Sequence, residues 1–173
     1  TYNIKKEISI VAPKKEKPLA FLITKNNIEG LTITPQTTIK DIINVFGKEN
    51  VEIGYTKPEG TPVPTVCIYR TGVGHKPSIE GYIKKDGEDY KLQFGLAVKD
   101  PRFVTDKNIH VSSTVGELKE KYFVDEIRTG EFTKVAISKK ERLSFFLKGM
   151  YGKLKSSNIN DVPNDTLIEE ILE

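Results

Sequence analysis

Two short stretches of the chain repeat apolar residues with the period of an α-helix. The apolar positions are Ile39, Ile42, Ile43 and Phe46 in the first stretch, and Val115, Leu118 and Tyr122 in the second. Spacings of three, four and seven residues place such side chains on one face of a helix. The pattern therefore predicts two short amphipathic helices, over residues 38–46 and 115–122.

Both predicted helices begin with the same capping pattern. Thr38 is followed three residues later by Asp41, and Thr114 by Glu117. In such a capping box the threonine hydroxyl accepts the backbone N–H of the acidic residue, whose carboxylate accepts the N–H of the threonine. Gly47 is a suitable residue to end the first helix.

Most other apolar residues follow strand patterns. The predicted strands are Val51–Tyr55, Thr65–Arg70, Ile79–Lys84, Tyr90–Val98, Phe132–Ser138 and Arg142–Leu147. The fourth alternates most regularly, with Tyr90, Leu92, Phe94, Leu96 and Val98 expected on one face and the residues between them on the other. Asp86-Gly87 before it is a hairpin signal. A β-hairpin is expected over about residues 4–25, and Thr166 with Glu169 predicts a short final helix.

An internal repeat is the main organising feature. Residues 33–46 align without a gap on residues 109–122, from Ile33 against Ile109 to Phe46 against Tyr122. Two unrelated helices with the same generic cap are the alternative. A repeat sets the architecture, because each one-sided helix must pack on a sheet. We expect an α+β fold, with short helices on one face of an antiparallel sheet. Residues 1–173 would form a single domain of two unequal αβ repeats, about 26–99 and 107–173.

The repeated segment carries a family resemblance. Both copies contain the same elements in the same order. These are an isoleucine, a polar stretch, Thr37-Thr38 or Ser113-Thr114, an aliphatic residue, an acid and a closing aromatic residue. This phrase resembles the start of the helices in secreted bacterial proteins with tandem αβ repeats. They include small outer-membrane assembly lipoproteins and β-lactamase-inhibitor-protein-like domains. The resemblance implies an exported, cell-envelope protein that acts as an inhibitor, immunity or assembly factor.

Composition excludes several classes of protein. The 173 residues are 37% hydrophobic, with one cysteine and no tryptophan, and no apolar run approaches the roughly 20 residues that span a bilayer. Disulfide frameworks and transmembrane proteins are thereby excluded. The net charge is +3 and basic residues are interleaved with acids, which argues against nucleic acid as a partner. The first residue, Thr1, leaves room for a signal peptide or a lipid anchor upstream.

The chain has little material for nucleophilic or metal chemistry. Cys67, His75 and His110 are too few and too scattered for a zinc site. A Cys67–His75 pair across a hairpin is the one nucleophilic arrangement, but an inert thiol is the default for a cysteine within a strand. We therefore expect no metal, no cofactor and no catalytic residue from this set.

One loop has the composition of an anion-binding site. Residues 70–77 combine a Gly-x-Gly sequence with Arg70, His75 and Lys76. Such a loop can wrap an anion, although a plain hairpin loop has the same composition.

The leading hypothesis is a non-enzymatic protein-binding module of the bacterial cell envelope. Tyr55, Tyr69 and Tyr82 are expected on the open face of the sheet, where tyrosines are common at binding surfaces. One alternative is a carboxylate-based hydrolase, which requires a cleft with at least two acids of perturbed pKa. The other is a small-ligand or anion-binding protein using residues 70–77. The oligomeric state stays open.

Overall fold

The computed structural model describes residues 21–57, 60–70, 76–129, 133–150, 152 and 156–173. Most of the expected N-terminal hairpin over residues 4–25 lies outside these ranges. Its last residues form β1, Phe21–Thr24. The described part of the chain is an α+β structure, as predicted.

The smaller of the two sheets is built from segments that precede the helices in the chain. It contains β1, β2 (Asn27–Ile28), β3 (Leu31–Thr32) and β9 (Phe103–Thr105), in the order β3-β2-β1-β9. The β1 and β9 strands are parallel, with Phe21 beside Phe103. This pairing brings the chain segments that lead into the two helices side by side.

The two predicted helices are confirmed. They are α1, Ile39–Phe46, and α2, Val115–Lys121. The hydroxyl of Thr38 accepts the backbone N–H of Asp41 at 3.2 Å, and the carboxylate of Asp41 accepts the N–H of Thr38 at 2.8 Å. Thr114 and Glu117 form the same capping box at 3.2 and 2.7 Å. Gly47 ends α1 with a φ of 86°, in the region that favours glycine.

The large sheet is antiparallel throughout. Its strands are β4 (Val51–Thr56), β5 (Val63–Ile68), β6 (Ile79–Asp86), β7 (Asp89–Leu92), β8 (Ala97–Val98), β10 (Glu126–Thr129), β11 (Lys134–Ser138), β12 (Leu143–Leu147) and β13 (Ile168–Leu172). The order is β10-β11-β12-β13-β8-β6-β5-β4, with β7 beside the other end of β6. The β8–β13 pair therefore joins a half of four strands, β10 to β13, to a half of five, β4 to β8.

One continuous core lies on one face of the large sheet. The apolar faces of both helices and the small sheet supply one side of it, and alternate strand residues supply the other. Among its fully buried side chains are Ile42, Leu118, Phe103, Ile68, Ile79, Val98, Phe145 and Ile171. The described helices thus cover a single face of the sheet, as expected.

The last predicted element is wrong. Residues Ile168–Leu172 form strand β13, between β12 and β8, where the sequence pattern predicted a helix. The register shifts between Phe146 and Leu147, so both Ile168 and Ile171 reach the core. This bulge makes a strand reproduce the three-residue spacing of a helix.

The chain segments that lead into the two helices form equivalent hydrogen bonds. The carbonyl of Thr37 accepts the N–H of Leu92 at 2.9 Å, and that of Ser113 accepts the N–H of Ile168 at 2.8 Å. Thr34 and His110 each donate their N–H to a hydroxyl three residues later. These hydrogen bonds occupy equivalent positions in the two aligned segments, and the repeat over about 26–99 and 107–173 stays a prediction.

Candidate functional site

The face of the large sheet opposite the helices carries a mixture of aromatic, aliphatic and charged side chains. In β5, β6, β8 and β13, the residues that alternate with core positions point away from the helices. Register places Thr65 opposite Tyr82, Cys67 opposite Glu80, and Ala97 opposite Leu172. We call this surface the open face.

A groove of about 340 Å³ lies at the centre of the open face. Its lining residues are Thr56, Thr65, Glu80, Gly81, Tyr82, Phe94, Gly95, Ala97, Lys99, Phe146, Glu170 and Leu172. They come from both halves of the large sheet, which meet at the β8–β13 pair. The groove therefore exists only when the two halves have paired.

An irregular segment puts an aromatic ring at the rim of this groove. Between β7 and β8 the chain buries Leu92 and Leu96 and leaves Phe94 63% exposed. Gly95 is required here, because a Cβ atom would lie 1.5 Å from the carbonyl oxygen of Glu173. The sequence pattern predicted Phe94 on the same face as Leu92 and Leu96, and that placement is wrong. Close backbone packing at Gly95 interrupts the alternation.

A charged triad lies inside the groove. Lys99 forms an ion pair with Glu80 and a second one with Glu170, whose Oε2 is 3.8 Å from the lysine Nζ. Burial alone lowers the pKa of Lys99, but the hydrogen bond and charge of Glu80, with the charge of Glu170, outweigh it and raise the pKa. Burial also raises the pKa of Glu170, and Lys99 offsets only part of this. The three side chains together carry one net negative charge at neutral pH.

The predicted tyrosines divide between two faces. Tyr82 is 39% exposed and lines the groove, whereas Tyr69 lies on the same face beside Cys67 and Glu52. Tyr55 points to the other side, because it shares a face with the residues of β4 that oppose core positions. It is 64% exposed at the sheet edge. The expectation that all three share the open face is therefore wrong for Tyr55.

Arg70, predicted to bind an anion, already has partners within the chain. Its guanidinium pairs with Glu29 and lies 4.6 Å from the ring centroid of Phe21 and 5.3 Å from that of Phe46. Burial first, and then the charge of Arg102, lower the pKa of Arg70. These contacts give Arg70 a structural role between the small sheet and α1.

Two other residues of the 70–77 loop, His75 and Lys76, were also predicted to bind an anion. Lys76 is exposed, and His75 lies outside the described residues. The anion-binding hypothesis for Arg70, His75 and Lys76 stays a prediction.

Cys67 has the properties of an unreactive thiol. It is half-buried in β5 on the open face. Burial, followed by the charges of Glu80 and Glu52, raises its pKa. Because the thiolate is the nucleophilic form, this environment disfavours nucleophilic chemistry. In the described ranges, three or more His, Cys, Asp or Glu side chains nowhere come together as a metal site would require.

The groove contains residues that the sequence analysis did not single out. They are Glu80, Phe94, Lys99, Phe146 and Glu170. Phe146 had a usable signal, because it alternates with Phe145 and Leu147 in a predicted strand. Glu170 had none, because its segment was predicted as a helix. Their meeting with Lys99 depends on the pairing of β8 with β13, which no local pattern reveals.

Comparisons with known proteins support the fold only. No protein-family model and no curated protein matches the sequence. Within the described residues, no helix is both long and apolar enough to cross a membrane. The structure is similar to the crystal structure of the uncharacterized protein YfeY from Escherichia coli, with a TM-score of 0.60 and 14% sequence identity. The match covers 87% of this chain and 97% of that chain, so the two share an architecture over most of their length.

Proposed function

We propose that this chain is a non-enzymatic binding module that takes a protein partner in the groove of the open face. The observation that carries this proposal is Phe94, a large aromatic side chain held 63% exposed beside Tyr82 and the charged triad. Aromatic side chains are enriched at protein–protein interfaces, where a few residues typically dominate the binding energy.

The charges in the groove define the kind of partner. Glu80 and Glu170 share one lysine, so the triad retains one unbalanced negative charge. A partner segment that presents an apolar side chain to Phe94 and an adjacent lysine or arginine to Glu170 complements this surface. The cation would offset the cost of burying the carboxylate.

Photo-crosslinking tests this proposal in an extract of the native organism. A photoreactive amino acid at position 94 should yield one discrete protein adduct. The matched control is position 123, because Phe123 is 76% exposed and lies among the residues of a different surface. An absence of any adduct at position 94, or the same adducts at both positions, would contradict the proposal.

The carboxylate hydrolase remains the second candidate, because one observation favours it. Glu170 lies in a groove with Glu80, and its pKa is raised, as a general acid requires. Lys99, however, pairs with both carboxylates. If the groove were catalytic, Glu170→Gln would abolish turnover of chromogenic glycosides or esters. We expect no turnover by the unmodified protein in the first place.

The cell-envelope location is also part of the proposal. It is supported by the resemblance of the two helix-capping segments to secreted αβ-repeat proteins. Fractionation of native cells should place the protein in the envelope fraction. Recovery in the cytosolic fraction would contradict this part and leave the groove proposal intact.

A further inference from the structure

The outer edge of β4 offers unpaired backbone groups. The carbonyl of Asn50 accepts the N–H of Tyr69 at 2.8 Å, which fixes the phase of the β4–β5 ladder. In an antiparallel ladder with this phase, Val51, Ile53 and Tyr55 direct their N–H and C=O groups away from β5. The N–H of Val51 donates to the carbonyl of Lys48, so the outward groups that remain are the C=O of Val51 and both groups of Ile53 and Tyr55. No strand among the described residues pairs with that side of β4.

The two edges of the large sheet differ in protection. On the far edge, the N–H of Ile127 in β10 donates to the carbonyl of Ser157 at 3.2 Å, so a described loop covers that strand. β4 contains no proline, lysine or register shift, the usual devices that prevent edge pairing. Instead it exposes Ile53 by 40% and Tyr55 by 64%.

A glycine in the middle of β4 points to contact from outside the chain. A Cβ atom added to Gly54 would meet nothing within 4 Å. The monomer therefore has no steric need for glycine at this position. Glycine inside a strand weakens the strand and often marks the close approach of another chain or ligand.

We propose that a second copy of this chain pairs antiparallel with β4, centred on Ile53. In this register Ile53 faces the partner's Ile53, and Val51 faces the partner's Tyr55. Ile53 exchanges both backbone hydrogen bonds with the partner's Ile53, and the C=O of Val51 accepts the N–H of the partner's Tyr55. Glu52 then lies opposite the partner's Gly54, which leaves room for the carboxylate and avoids a like-charge contact.

Neighbouring registers are less complementary. Centring the pair on Glu52 sets this residue against the partner's Glu52, and directly opposed like charges destabilise a strand pair. Centring it on Gly54 sets Val51 against the partner's Lys57. The strand is thus complementary to itself in one register, which favours a second copy over an unrelated strand.

This inference does not depend on the function proposed for the groove. Ile53 and Tyr55 lie at the sheet edge and point to the helix side, whereas Phe94 and Tyr82 lie at the centre of the open face. Pairing through β4 would extend the large sheet across two molecules and leave both grooves open.

Sedimentation velocity of the full chain over a concentration series tests the proposal. The unmodified protein should show a concentration-dependent equilibrium between monomer and dimer. Gly54→Glu should raise the dimer dissociation constant roughly two- to thirtyfold, because two like-charge pairs are introduced. The unfolding temperature of the monomer should not fall, since the new side chain enters open space and a strand glycine is removed.

A compensating substitution identifies the register. Adding Glu52→Lys to Gly54→Glu sets lysine opposite glutamate at both ends of the pair and should restore dimerisation. Phe123→Lys, which introduces a charge at an exposed position elsewhere, should leave the dissociation constant unaltered. A monomer at all concentrations would overturn the proposal. This is the result expected if residues 1–20 or another protein's strand occupied the edge of β4. Weakening by Gly54→Glu without rescue would overturn the Ile53-centred register.

Discussion

At the scale of single residues, the groove depends on how Lys99 shares its charge. Two carboxylates compete for one ammonium group, and Glu80 makes the closer pair. Glu170 receives less compensation, so burial raises its pKa despite the attraction of Lys99. The groove therefore holds a carboxylate that a cationic partner can satisfy better than the free protein does.

The raised pKa of Glu170 has a consequence for stability. The folded state binds the proton of this carboxyl more tightly than the unfolded state, so stability is lost as pH rises above the ordinary value of about 4.5. Glu170→Gln should increase the free energy of unfolding at pH 7, by less than about 1 kcal/mol, because the loss of the pair with Lys99 offsets part of the gain.

Urea denaturation at pH 7 and pH 4 checks this expectation. The advantage of Glu170→Gln should shrink at pH 4, where the wild-type carboxyl is protonated in both states. A variant that is less stable than the wild type at pH 7 would show that Glu170 is well compensated in the free protein.

At the scale of elements, the capping boxes specify where both helices begin. The hydrogen bonds from Thr38 to Asp41 and from Thr114 to Glu117 lower the pKa of each acid. Both helices are short, so a lost cap affects a large part of each. The stabilising contribution of the two ionised acids to the capping boxes is present above their ordinary pKa. It is lost as pH falls through their lowered pKa in the folded protein.

Thr38→Ala and Thr114→Ala should each reduce the free energy of unfolding by about 1 kcal/mol. The matched controls are Thr38→Ser and Thr114→Ser, which keep the hydroxyl acceptor and should cost much less. Chemical denaturation of the four variants measures the difference. Equal losses for alanine and serine would assign the effect to the threonine methyl group.

Element types were predictable where local pattern and local chemistry agree. Both helices have a threonine cap, an acid at the right distance and one apolar face, so no distant contact is needed to specify them. The helix prediction for the last segment was wrong because a bulge in β13 imitates helical spacing. Only pairing with the neighbouring strands β12 and β8 distinguishes a strand from a helix here. The predicted placement of Phe94 was wrong for a related reason, because close backbone packing at Gly95 interrupts the strand alternation.

At the scale of the whole molecule, the groove is a product of sheet assembly. The β8–β13 pair brings residues 80–99 beside residues 146–172, and the groove lies across this junction. The sequence analysis placed three tyrosines on one sheet face, and of these Tyr82 lines the groove whereas Tyr55 lies on the other face. The remaining groove residues are distant in sequence, so their meeting could not be predicted without the strand order.

The central claim is that the groove of the open face binds a protein partner, and an affinity measurement with the purified partner tests it most directly. Phe94→Ala should weaken binding by about fivefold or more, because truncating an aromatic anchor typically costs over 1 kcal/mol. Phe123→Ala, on a different surface, should leave the affinity unchanged. Equal affinities for Phe94→Ala and the wild-type protein would contradict the account.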